Sequence, residues 1–363
     1  MALMHPIRVS FATTYGVVYD NSLNYFCYET INMKHISVIV PRGDSIVDTI
    51  IAPYNLLKMA INHHQKVNRL PSPTYSIDMV GLNNDIINYQ GLFSIKPTKT
   101  IEEIERTDLI IVSPISGDLI DGIHQNKAFI EWMRYQRITH NAQLASLCKG
   151  AFLLAETGLL TGKNCATHWT AHDLFRMRYP DIKLMPEKVV CEDNGIYSSG
   201  GAYSILNFTV YLIERLFGRE TAIWCSKIAE IDFDRMNQNE FIIFSGQKDH
   251  ADLQIKEAQD YIEAHYDQKI SIADLSNMVH LNLRSFLRRF KKATANTPLE
   301  YIQRVKIEAA KRKLETTTNT ILQVMYDIGY NDEKAFRKTF RKYSGMTPAA
   351  YRLKFNREMA QAH

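Results

Sequence analysis

The 363-residue sequence has no CxxC pair, no HExxH, no GxGxxG and no GxxxxGK[ST]. Those absences argue against a zinc site, a disulfide framework, a dinucleotide fold and a P-loop. Its five cysteines, Cys27, Cys148, Cys165, Cys191 and Cys225, are odd in number, which predicts free thiols in a reducing cytoplasm. The twelve histidines show no metal-ligand spacing, and the His63-His64 pair reads as solvated. Neither a metal nor a cofactor is expected. No apolar run reaches the ~18 residues a membrane span needs, and the N-terminus has no basic-then-apolar signal pattern. Residues 1–33 read as an N-terminal extension, polar and tyrosine-rich, with two readings open: a true start at Met33, or an extra strand pair.

What is present divides the chain. From Ala251 onward there are 20 Lys and Arg against 13 Asp and Glu, leaving 23 against 26 in the rest. A basic last third beside a mildly acidic body points to a polyanion-binding module joined to something else. Length and composition allow two or three domains with substantial cores.

The basic third contains a repeat at an offset of 50 residues: "SFLRRFKKATANTPLEYIQR" from Ser285 aligns without gaps with "AFRKTFRKYSGMTPAAYRLK" from Ala335. Two similar supersecondary units therefore stand in tandem. In the first, Ser271 and Asn282 are placed to cap two short helices. The periodicity buries Ile272, Leu275 and Val279 on one helix, and Leu283, Phe286 and Phe290 on the other. Arg284, Arg288 and Lys291 are left outside. In the second, Gly329 ends one helix, Asn331 or Asp332 caps the next, and Phe336 and Phe340 turn inward. Thr297-Pro298 opens a long helix between the units. Each unit is a helix-turn-helix with a basic outer face, and two such helices about 34 Å apart fit successive major grooves.

At these residues the last 100 or so positions resemble the AraC/XylS family of transcription regulators. The resemblance implies an all-α domain over 253–357 that reads promoter DNA through Arg284, Ser285, Leu287 and Arg288, then Glu333, Lys334, Arg337 and Lys338. Family members often have Ser- or Gln-type residues at Lys334 and Arg at Lys338, so an altered base preference is implied.

The first two-thirds alternate strand-like and helical runs, which predicts a parallel sheet covered by helices. "SIVDTIIAPYNLLKMAINHH" reads as a helix broken at Pro53, and "LFSIKP" as a strand. Trp132, Trp169 and Trp224 read as core or pocket walls, and the apolar helix from Ala202 to Phe217 as core. In "SLCKGAF", Cys148 follows a strand and precedes a helix, as at a nucleophile elbow. The helix N-terminus would lower its thiol pKa, the Lys149 N–H would face an oxyanion, and His168 would be the base.

"SLCKGAFLLAETGLLTGKNCATHW" and "NGIYSSGGAYSILNFTVYLIERLFGRETA" resemble the ThiJ/PfpI branch of the class I glutamine-amidotransferase-like superfamily. That implies a flavodoxin-like α/β domain over 34–235 with helices on both faces, joined by a linker over 236–252. Three departures argue against catalysis. "VSPISGD" keeps only Gly117 where hydrolytic relatives carry a Gly-Gly pair, an oxyanion-hole loss of roughly 3 kcal/mol. "IIAP" stands in place of Ala-Gly-Pro. No Glu orients the cysteine, with Asp44 and Asp48 the only candidates.

Together the resemblances imply a cytoplasmic, homodimeric regulator, by family habit an activator, with RNA polymerase among its partners. A small effector would lie against Cys148, Lys149, His168, Trp169 and Gly117. The rival reading is an amidase or deglycase-like hydrolase using Cys148, His168 and Asp48, with DNA binding as autoregulation.

Overall fold

The computed structural model describes residues 33–70, 72–233 and 237–356, with the backbone of 16–18 and 26–28. Most of the expected extension, and residue 236 at the start of the expected linker, lie outside these. Within the extension, β1 (Gly16–Val18) and β2 (Phe26–Tyr28) form an antiparallel pair.

The main body runs β3 (Lys34–Ile39), α1 (Asp48–Val67), β4 (Tyr75–Gly81), β5 (Ile87–Tyr89), β6 (Phe93–Ile95), β7 (Lys99–Thr100) and β8 (Leu109–Val112). It continues with α2 (Leu119–Gln125), α3 (Lys127–His140), β9 (Gln143–Ser146), α4 (Gly150–Glu156), β10 (Asn164–Cys165) and α5 (His172–Arg178). Then come β11 (Lys183–Leu184), β12 (Val190–Asp193), β13 (Ile196–Ser199), α6 (Ser204–Phe217) and α7 (Arg219–Ile228). Seven strands form one sheet in the order β12-β13-β9-β8-β3-β4-β7, parallel except for the β12–β13 pair. The central strand β8 is apolar and buried on both faces, as a sheet covered on both sides requires. Ile36, Val38 and Ile111 pack toward α1 and α6. Ile39, Ile110 and Val112 pack toward α3, α4 and α5.

Two local readings change, and one expected strand stands apart from the main sheet. Helix α1 passes through Pro53 without a break. Proline at its sixth residue forfeits only the bond to the Thr49 carbonyl, and the ring is buried in the first turns. The "LFSIKP" strand β6 pairs only with β5, outside the main sheet. His63 and His64 are not a solvated pair: His63 stacks on Trp224 with centroids 3.9 Å apart, and His64 packs on Phe217. Trp132 is core and α6 is largely buried.

The last third is all helix: α8 (Leu253–Ala264), α9 (Ile272–Met278), α10 (Leu283–Thr294), α11 (Pro298–Thr316), α12 (Ile321–Asp327), α13 (Glu333–Ser344) and α14 (Pro348–Phe355). It has two cores, one per repeat, and α11 serves both: Tyr301 and Ile302 face the first, Ile307, Ala310 and Leu314 the second. The repeat holds at the level of ring contacts. Phe290 meets Tyr301 at 5.4 Å and Phe340 meets Tyr351 at 5.5 Å, both edge to face at 82°. Each tyrosine hydroxyl donates to a glutamate, Glu263 or Glu315. Leu283 departs from its expected place: it is exposed, because as first residue of α10 it lies on the outer row with Leu287.

Candidate functional site

Cys148 ends the run that leaves β9, at φ 53°. An L-residue in that left-handed region costs roughly 1–2 kcal/mol, so its surroundings must hold it there. Its N–H donates to Ser199 Oγ at 3.4 Å, and the Thr167 hydroxyl donates to its carbonyl at 2.9 Å. Gly150 serves close packing: a Cβ there would lie 2.2 Å from the Val112 carbonyl oxygen. The elbow geometry expected at "SLCKGAF" is therefore present.

Its electrostatics differ from the expectation. Burial pushes the Cys148 thiol up, and the backbone amides of Ala202 and Lys149, with the Lys149 charge, oppose this only in part. The helix N-terminus does not yield a lowered thiol, because a nearly enclosed sulfur loses more hydration than two amides return. His168 is pushed down to about 4, first by burial and then by Lys149. It is neutral near pH 7. Its Nδ1 accepts from the Thr170 N–H at 3.1 Å and faces the Thr170 hydroxyl at 2.8 Å. Gly201 lies flat against the ring, where a Cβ would sit 1.6 Å from Cδ2. Among the described residues, no hydrogen bond joins Cys148 to His168.

The fold thus brings Cys148, Lys149 and His168 to one end of the sheet, and Trp169 stacks beside His168 at 5.5 Å. Gly117, at φ 70°, is on the loop after the neighbouring strand β8. Asp44 and Asp48 are exposed. Asp48 accepts from the Tyr203 hydroxyl at 3.2 Å, and among the described residues neither carboxylate bonds to Cys148 or His168. A protonated thiol without a base or an orienting carboxylate is not poised for attack. The other described cysteines are also free and buried, with Cys165 pushed to about 12 and Cys191 and Cys225 to about 11 by burial. No group of three or more His, Cys, Asp and Glu able to hold a metal occurs among the described residues.

Three residues of this site escaped the sequence reading: Thr167, Ser199 and Gln238. Gln238 comes from the segment between the two halves, where its Nε2 donates to the carbonyls of Thr167 (3.2 Å) and Lys188 (3.0 Å). It fits against Gly200, where a Cβ would be 2.8 Å from Gln238 Oε1. Nothing local marks a polar residue in an irregular segment as buried.

In the helical third, Arg284, Leu287 and Arg288 of α10 are exposed, as are Glu333, Lys334, Arg337 and Lys338 of α13. Ser285 is half-buried, and its N–H is taken by the Asn282 cap at 2.9 Å. Arg337 pairs with Glu333 at 2.6 Å on the helix surface. Arg289 points elsewhere and clamps Asp252, the cap of α8. Leu283, Arg284, Leu287, Arg288, Lys291 and Lys292 line one groove.

Residues 275–354 match the helix-turn-helix domain family, and residues 51–215 match the DJ-1/PfpI family. The HTH-type transcriptional regulator GbdR of Pseudomonas aeruginosa is 25% identical over 207 residues, 57% of this chain and 56% of that protein. The chain therefore aligns with little more than half the length of that relative. The regulator CdhR of the same species is 21% identical over 293 residues, 80% of this chain and 85% of that one. Isonitrile hydratase of Pseudomonas putida is 30% identical over 129 residues, 35% of this chain and 54% of that enzyme. The chain joins a DJ-1/PfpI-family domain to a helix-turn-helix domain of the AraC type.

Proposed function

We propose that this chain is a cytoplasmic DNA-binding transcription regulator. Its α/β unit, 34–235, binds a small effector beside Cys148, Lys149, His168, Trp169 and Gly117, and dimerises. The segment 236–252 links it to a DNA-binding unit over 253–357, which meets promoter DNA and, there, RNA polymerase. The observation that carries the reading is the pair of matched helices, α10 and α13. Each is locked by two phenylalanines in its own core, with Arg284 and Arg288, or Lys334, Arg337 and Lys338, left exposed. Relatives that are themselves named transcriptional regulators support it. Exposed cations on a helix with a fixed inner face suit phosphate contact and base reading.

The test is binding to duplex DNA from upstream of its own gene across a salt series. Affinity should fall steeply with salt. Arg288→Ala should cost about 1–3 kcal/mol if its guanidinium reads a base edge. Salt-independent binding, or indifference to Arg288→Ala, counts against the assignment.

The elbow and the likeness to an isonitrile hydratase favour a second reading, hydrolysis at Cys148 with His168. The raised thiol and the absence of a Cys148–His168 bond among the described residues weigh against it. Turnover abolished by Cys148→Ala would restore it.

A further inference from the structure

Where the two units meet, a cleft of about 470 Å³ is walled by parts of the chain remote in sequence. Helix α5 supplies His172 and Arg176, the connecting segment supplies Phe244, and α10, α11 and α13 supply Lys291, Arg304 and Lys342. Both helix-turn-helix units and the α/β unit therefore share one cavity, of a size that holds small organic molecules.

Its charge is unbalanced. Five cations line it against three carboxylates. One of those carboxylates, Glu308, is paired with one of those cations, Lys311, at 3.1 Å, and Arg176 makes a 3.5 Å pair with Asp173 of its own helix. A second, Glu300, is held by the Thr297 N–H and hydroxyl, both at 2.9 Å. Arg304 stands at the centre of the imbalance. Its guanidinium lies over the Phe244 ring at 4.3 Å, and Nη1 donates to Asn296 Oδ1 at 2.9 Å. Among the described residues no carboxylate is within ion-pair distance of it. Burial holds its pKa below the ordinary arginine value, with Arg176 adding to the effect and Asp173 opposing it. His172 is pushed down to about 3, first by burial, with Arg176 and Arg304 contributing. A half-buried guanidinium with no direct ion-pair partner has donors open to an incoming anion.

We propose that this cleft binds a small organic dicarboxylate, one carboxylate taken by the Arg304 fork and the other by Arg176, its carbon body against Phe244. The planar guanidinium matches a carboxylate in two parallel bonds. Because its walls come from both units, a bound dicarboxylate favours the docked arrangement over any in which they separate. The site is distinct from the elbow pocket and rests on the regulator reading only for its consequence at DNA. It lies one residue behind the elbow: His172 Nε2 is 3.2 Å from the Thr167 carbonyl, and the Thr167 hydroxyl holds Cys148.

The experiment is calorimetric titration of the full chain with glutarate and with phthalate at constant ionic strength. Glutaramide, neutral and of similar size, and inorganic phosphate are the comparison arms. At least one dicarboxylate should bind saturably at one per chain, and glutaramide should not. Arg304→Gln and Arg176→Gln should each weaken binding at least about 10-fold, the loss of a charge-assisted hydrogen bond. Arg176 is on a partly exposed helix face, so its variant keeps the test open should Arg304→Gln fail to fold. Binding of neither dicarboxylate, of phosphate alone, or equal binding to Arg176→Gln overturns the site. DNA affinity is measured separately without anion. Its absence removes the regulator reading and leaves the site standing, whereas DNA binding without dicarboxylate binding removes only the site.

Discussion

Cys148 has a nucleophile's backbone without a nucleophile's electrostatics. The strained φ of 53° is visible only in the folded chain, although the small residues that allow it stand in the sequence. Burial, which sequence cannot weigh residue by residue, decides the protonation state. Iodoacetamide should therefore modify Cys148 slowly at pH 7–8, and His168→Ala should leave the rate unchanged. A fast reaction slowed by that substitution would show a coupled thiolate. The two histidines make a second prediction. His168 and His172 lie at about 4 and about 3 against an ordinary 6.5, so the unfolded chain takes up protons that the fold excludes. Their contribution to stability is whole above about pH 6.5 and declines as pH falls from there toward 4 and then 3. Urea midpoints should be lower at pH 5 than at pH 7.5, and the difference should shrink in His172→Gln. An undiminished difference in that variant would assign the effect elsewhere.

Helix boundaries in the repeats were legible because capping is local chemistry. Ser271, Asn282, Thr297 and Asp332 each accept a hydrogen bond from the backbone N–H three residues on. Leu283 and Pro53 depart from the periodic pattern for a shared reason: periodicity does not say where a helix end lies relative to its neighbours. The structure adds a cap that the repeat implies. Gly345 ends α13 at φ 77°, and Ala295, 50 residues earlier, ends α10 at φ 56°. Glycine removes the left-handed strain at the cost of unfolded-state entropy, so Ala295→Gly should stabilise by about 0.5–1 kcal/mol. Chemical denaturation checks this, and a destabilised variant would mean the Ala295 methyl packs usefully.

Across the whole molecule, the connecting segment does more than span a gap. Gln238 anchors it to the Thr167 and Lys188 carbonyls. Further along, the Phe244 N–H donates to Glu308 at 3.1 Å, Lys311 reaches the Ile242 carbonyl, and Lys354 pairs with Glu240 at 2.8 Å. Movement at the elbow thus has a physical route toward α11 and α14. Gln238→Ala removes one of the two donors at the Thr167 carbonyl, which His172 Nε2 also approaches, and the side-chain donor at the Lys188 carbonyl, and should cost about 0.5–1.5 kcal/mol. It should also speed limited proteolysis within residues 237–251. Unchanged thermal stability and cleavage would show that the anchor contributes nothing to docking.

Read alone, the sequence determined the two-part organisation, the tandem helical repeat and the strand–elbow–helix run at Cys148. Each depends on periodicity, capping or turn chemistry, which act within a few residues. The tertiary structure decided the raised thiol, the neutral His168, the outward Leu283, the buried Gln238 and the Arg176–Arg304 cleft. Those depend on desolvation and on segments brought together from opposite ends of the chain, and neither leaves a local mark on the order of residues.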